Sequence, residues 1–173
     1  MMMRERDMQI ENSIKEVKSS LAKLLATENL SVQFAHVETA SFDTKNRVLI
    51  LPLFKDMNEQ CIDLFVGHEV AHALWTPAEG LANLPIKDPN FHSFVNVTED
   101  ARIERLIQSK YPGLKKIFYN AYGELNEKNF FGVEDADTNQ MLFIDRLNLK
   151  AKLGHRFDVN FHNEIEEEFY NRA

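Results

Sequence analysis

Ile10, Ile14, Val17, Leu21 and Leu24 recur at spacings of four and three, with Glu, Lys and Ser between them. That period predicts an amphipathic helix over residues 8–27 carrying one apolar stripe. From Leu30 to Val37 the pattern changes to alternation through Val32, Phe34 and the small Ala35, which predicts a strand. Phe42-Asp43-Thr44-Lys45-Asn46 reads as a turn, and Arg47 to Leu51 as a second apolar strand closed by Pro52. Two short strands ahead of a helix point to a small antiparallel sheet.

The next helix opens with Asp56 and Glu59, an N-cap residue with an acid three positions on. It carries Ile62, Phe65, Val66, Ala73 and Leu74 and stops before Pro77. A third helix starts near Pro89, a residue suited to a first helical turn, and ends at Pro112-Gly113. Further helices are predicted over Leu114–Tyr122 and Thr138–Lys152, the latter capped by Asp137 with Gln140 and stopped by Gly154. The glutamates at 164, 166, 167 and 168 belong to a last helix. The fold class this implies is α+β, helix-rich, with residues 1–173 as a single domain.

Composition narrows the class of function. A chain of 173 residues, 44% hydrophobic and 27% charged, has the make-up of a soluble globular domain. No apolar run approaches the roughly 20 residues that cross a bilayer, so no membrane partner is expected. Met1 to Asp7 leads into an amphipathic stretch, which predicts no secretory signal. Cys61 is the only cysteine and suits a reducing, cytoplasmic setting. Net charge is −7, and the bases are scattered among acids, which argues against nucleic acid as a partner. Lys115-Lys116 is the one tight basic pair, best read as a solvated helix face.

The chemistry concentrates in Val66-Gly67-His68-Glu69-Val70-Ala71-His72-Ala73-Leu74. Two histidines four apart share a helix face, so both imidazoles reach one metal ion. Glu69 projects beside that ion, where a carboxylate can take a proton from activated water. The uncharged flanks suit a helix buried beneath a cleft. A catalytic zinc site needs a third protein ligand and an open position. The adjacent metzincin pattern is excluded, because Trp75 and Ala78 stand where it requires Gly and His.

Acids further along supply candidates. Phe91, Val95, Glu99, Ile103 and Leu106 form one stripe, with Glu99 in the middle of an apolar face. A carboxylate there needs a partner: a metal ion, or a base such as Arg102. Asp100, beside that stripe with Ile103 and Ile107, is the second choice, either as a ligand or as an acceptor for a ligand histidine's second ring N–H. His92 is the third. Asp135-Ala136-Asp137-Thr138-Asn139 imitates the start of a calcium loop, but Gln140 replaces the required Gly and Arg146 the bidentate Glu. A helix cap is the better reading.

The run His68 to Pro77, followed by Glu99-Asp100-Ala101-Arg102-Ile103-Glu104, resembles gluzincin-type metallopeptidase domains. In particular it is similar to the peptidase-like domains found beside von Willebrand A domains in bacterial and phage proteins, including relatives of cobaltochelatase subunits. The resemblance covers about Ser31 to Pro112. It implies a zincin-like core over residues 30–112, an HExxH active-site helix, and Arg47 to Leu51 near the sheet edge that aligns a peptide. It also implies zinc held by His68, His72 and Glu99, Glu69 as general base, and possible association with a von Willebrand A-type domain. Where many gluzincins carry an Asp four residues after the ligand Glu, this chain has Ile103.

The expected function is zinc-dependent hydrolysis of a peptide bond in a peptide or protein substrate. Tyr111, Tyr119, Tyr122, His155 and Arg102 are the candidate oxyanion donors. A catalytically silent binding or assembly module is the alternative, and a closed structural zinc site, with a fourth ligand such as His92, is a further one.

Overall fold

The computed structural model describes residues 2–53, 58–77 and 88–172. Its helices are α1 (Met2–Ala26), α2 (Glu59–Trp75), α3 (Pro89–Lys110), α4 (Leu114–Glu127), α5 (Phe143–Leu153) and α6 (Glu164–Arg172). Its strands are β1 (Ser31–Ala35), β2 (Ser41–Asp43) and β3 (Val48–Pro52). A mostly helical chain with one small sheet is the expected α+β class. No helix among the described residues is long and apolar enough to cross a membrane. The chain divides into two compact units, Met1–Ala78 and Glu79–Ala173.

In the first unit the sheet order is β1-β3-β2, with β1 parallel and β2 antiparallel to β3. The sheet is therefore mixed rather than antiparallel. Phe42 and Asp43, read from sequence as turn, are strand residues paired with Leu49 and Val48. The turn proper is organised by the Asp43 carboxylate, which accepts from the backbone N–H of Lys45 and Asn46 and from the Asn46 amide. Those bonds, that from the Asn46 backbone foremost, hold the Asp43 carboxyl below its ordinary value. Arg47 leaves the turn at φ 57°, a left-handed conformation.

The central position of β3 corrects one expectation of the resemblance. Both hydrogen-bonding sides of β3 are occupied, so residues 47–51 do not form an edge. Among the described residues the edges are β1 and β2, where a peptide joining this sheet would pair.

The inward face of α1 also differs from the apolar stripe. Lys18, Ala22, Leu25 and Ala26 are buried, whereas Ile10, Val17 and Leu24 are 51, 58 and 74% exposed. The cause is a cross-helix pair: Lys18 donates to Asp63 of α2 at 2.7 Å. That ion pair, together with the small Ala22 and Ala26, turns the helix away from its most apolar row.

For α2 the expected cap, Asp56, lies outside the described residues. The cap observed is Asn58, whose side chain accepts from the backbone N–H of Gln60 at 2.8 Å. Thr76 ends the helix in extended backbone, as the following Pro77 requires.

In the second unit α3 begins as predicted, with Asp88 capping and Pro89 in the first turn. Its buried residues are Ile103, Glu104 and Ile107, while Phe91 is 54% exposed and Leu106 half-buried. The inward row is thus the one shared by Asp100, Ile103 and Ile107, turned slightly from the stripe through Glu99. The helix predicted over Thr138–Lys152 is broken. Residues Thr138–Gln140 form a 3₁₀ turn capped by Asp137, Met141 and Leu142 are extended, and α5 follows. Buried Arg146 donates to the Met141 carbonyl at 3.3 Å, holding the break in place. Arg146 also grips Glu166 of α6 through two bonds of 2.9 Å, and Asn160 O at 2.9 Å.

Candidate metal centre

The motif lies in the C-terminal half of α2, with His72 in its last turn, on a helix with Cys61, Ile62, Leu64, Val66, Val70 and Ala71 almost wholly buried. His68 and His72, one turn apart, are half-buried. Their ring centroids are 4.9 Å apart and the planes cross at 81°. One ring nitrogen of each lies within 4.8 Å of the other. Two nitrogens each about 2 Å from a shared zinc ion need a spacing no greater than about 4 Å, which a small rotamer adjustment supplies. Glu69, between them in sequence, is buried at 6% exposure.

His72 Nδ1 is 2.8 Å from the Thr76 hydroxyl. With the proton on Nδ1, donated to Thr76, Nε2 carries the lone pair that a metal takes. Thr76 was missed from sequence, although its position one turn after His72 is the available signal. Arg47 donates to the Ala73 carbonyl at 2.7 Å, a cation placed at the last turn of α2, where the helix dipole favours it. The same guanidinium pairs with Glu28 and lies 4.8 Å from the centroid of the Phe42 ring.

The remaining candidates belong to the second unit. Both Glu99 oxygens accept from Arg102, at 2.7 Å each, which is the base partner that the sequence offered as the alternative to metal. That hydrogen bonding raises the Arg102 value above the ordinary one. Asp100 is 3.6 Å from the Lys152 ammonium. His92 is exposed near the start of α3.

Beside them is a buried network that sequence reasoning did not find. Glu104, 4% exposed, accepts from the Tyr122 hydroxyl at 2.5 Å and from Lys152 at 3.0 Å. Burial, reinforced by the Glu104 charge, pushes the Tyr122 phenol well up. Burial works against the Lys152 ammonium, but Glu104, Tyr122 and Asp100 outweigh it and hold the group well above its usual value. Tyr122 is thereby committed as a donor to Glu104.

Of the other oxyanion candidates, Tyr119 lies under the Arg156 guanidinium at 3.7 Å, and Tyr111 closes α3. His155 is exposed in the 3₁₀ turn Gly154–Arg156.

No protein-family model, curated protein or solved structure matches this chain.

The case for a metal therefore rests on the donor set. Two imidazoles within reach of one ion, one with its second nitrogen bonded to a hydroxyl, and a buried carboxylate on the intervening residue fit zinc.

Proposed function

We propose that this protein is a zinc-dependent hydrolase of the gluzincin kind, acting on peptide bonds. The observation that carries the proposal is the pairing of His68 and His72, with nitrogens within 4.8 Å, around a buried Glu69 on one helix. For the third ligand the sequence offers the acids Glu99 and Asp100. Glu99 is the choice from the sequence. Both Glu99 oxygens accept from Arg102, and Asp100 is the second choice.

Bound zinc would supply Lewis acidity toward a carbonyl and acidify water. The chain's own residues do the rest. His68 and His72 bind, and Thr76 orients the His72 ring. Glu69 is the general base: its carboxylate accepts the proton of the attacking water and returns it to the leaving amine. Arg47 keeps the last turn of α2 in place through Ala73 O.

Metal analysis tests the assignment. The parent should hold about one zinc per chain, and His68→Ala with His72→Ala should hold none. Glu69→Gln should stay loaded yet lose about 10²–10⁴-fold in peptide turnover, the contribution of a positioned general base. Full zinc retention by the double-histidine variant refutes the site. Undiminished turnover by Glu69→Gln refutes the mechanism.

A further inference from the structure

The second unit contains a cleft of about 420 Å³, within the range that holds small ligands. One face of α3 lines it with Glu104, Arg105, Gln108 and Ser109, joined by Lys115 from the first turn of α4 and Tyr170 from α6. Lys152, 3.0 Å from Glu104 and 3.6 Å from Asp100, offsets part of the acidic charge there. Arg105 and Lys115 are different. Among the described residues neither has an ion-pair partner, in a chain where 27 acids outnumber 20 bases. Acids are abundant, yet two cations open on one cleft with their charge unanswered.

We propose that this cleft binds a small polar phosphate monoester. Arg105 and Lys115 match the two charges of such a head group, and Arg105 offers paired N–H donors to phosphate oxygens. The volume exceeds what a bare phosphate fills and leaves room for an organic body. The rest of the lining is Gln108, Ser109 and Tyr170 beside the small Ala101 and Ala151, a mostly polar surround that suits a sugar. The Tyr170 ring is in contact with Phe161, with centroids 5.3 Å apart. The assignment is independent of any metal on α2.

Calorimetric titration of the full chain with inorganic phosphate, ribose 5-phosphate and succinate tests it. Ribose 5-phosphate should bind at one site per chain, more tightly than inorganic phosphate or succinate. Arg105→Ala and Lys115→Ala should each weaken it roughly tenfold or more, the scale of a charge-assisted hydrogen bond. Gln108→Ala should weaken ribose 5-phosphate while leaving inorganic phosphate unchanged. Lys116→Ala, on the same helix but outside the lining, should leave binding unchanged. Absence of ribose 5-phosphate binding up to about 10 mM overturns the proposal. An equal loss in Lys116→Ala overturns it too, by showing diffuse attraction, and so does succinate binding as tightly as the sugar phosphate.

Discussion

Glu69 and Glu104 are both buried glutamates in long helices, one in each unit, at 6 and 4% exposure. Their surroundings come from opposite sources. The groups proposed to act with Glu69, His68 and His72, lie on its own helix within three residues. The partners of Glu104, Tyr122 and Lys152, lie 18 and 48 residues away on α4 and α5. A buried acid served by its own helix announces itself in a short string of letters. A buried acid served by distant helices looks like any other surface glutamate until the chain has folded.

The largest effect that separates the two regions should come from Lys152→Met. It strands Glu104 without its cation, and losing one member of a buried pair costs about 3–5 kcal/mol. Urea denaturation should show that loss, and Glu104→Leu added to Lys152→Met should recover much of it. A cost below about 1 kcal/mol would mean that Tyr122 alone satisfies Glu104.

Next comes Thr76→Val, aimed at the self-sufficiency of α2. Removing the hydroxyl that orients His72 should weaken zinc binding about 10–100-fold, as loss of such a supporting contact does elsewhere. Competition with a chromogenic chelator reads this directly. Unchanged affinity would show that packing alone orients the ring.

Smaller still is an acid effect in the second unit. The hydrogen bonds from Arg146, foremost among its contacts, hold the Glu166 carboxyl below the ordinary glutamate value. A depressed folded value stabilises above the unfolded value of about 4.3 and is lost as pH falls through the folded one. Between pH 7 and pH 3 the parent should therefore lose roughly 0.5–1 kcal/mol more than Glu166→Gln, the scale of a partly screened ion pair. Equal losses in the two proteins would remove Arg146–Glu166 from the account of α6.

The smallest effect is expected at Gly123 in α4. An added Cβ would stand 1.6 Å from an Arg156 nitrogen, so that flexible side chain must leave its place over Tyr119. Losing the cation–π contact costs about 0.5–1 kcal/mol, while alanine gains a similar amount in helix propensity. Thermal denaturation of Gly123→Ala should show little net change. A loss beyond about 2 kcal/mol would mean that the clash is borne by more than one side chain.

The α1 and α3 faces show where sequence reading stopped. Both helices were located correctly in outline, because period and caps are local signals. Both inward rows were misjudged, because Lys18 and Glu104 turn inward to partners 45 and 48 residues distant. Apolar periodicity ranks charged positions as outward and has no means of seeing a buried pair. The broken helix near Met141 has the same origin: Arg146 spends its donors on Met141, Asn160 and Glu166 rather than on solvent.

By itself the sequence determined the α+β class, most of the helices, and the His68–Glu69–His72 constellation, since a helix of 3.6 residues per turn brings positions four apart together without outside help. Tertiary structure alone decided the strand order that makes β3 central, the bond from Arg47 to the end of α2, and the Glu104–Tyr122–Lys152 network. Each of these depends on groups far apart in the chain, and their pairing is settled by which surfaces fold against one another.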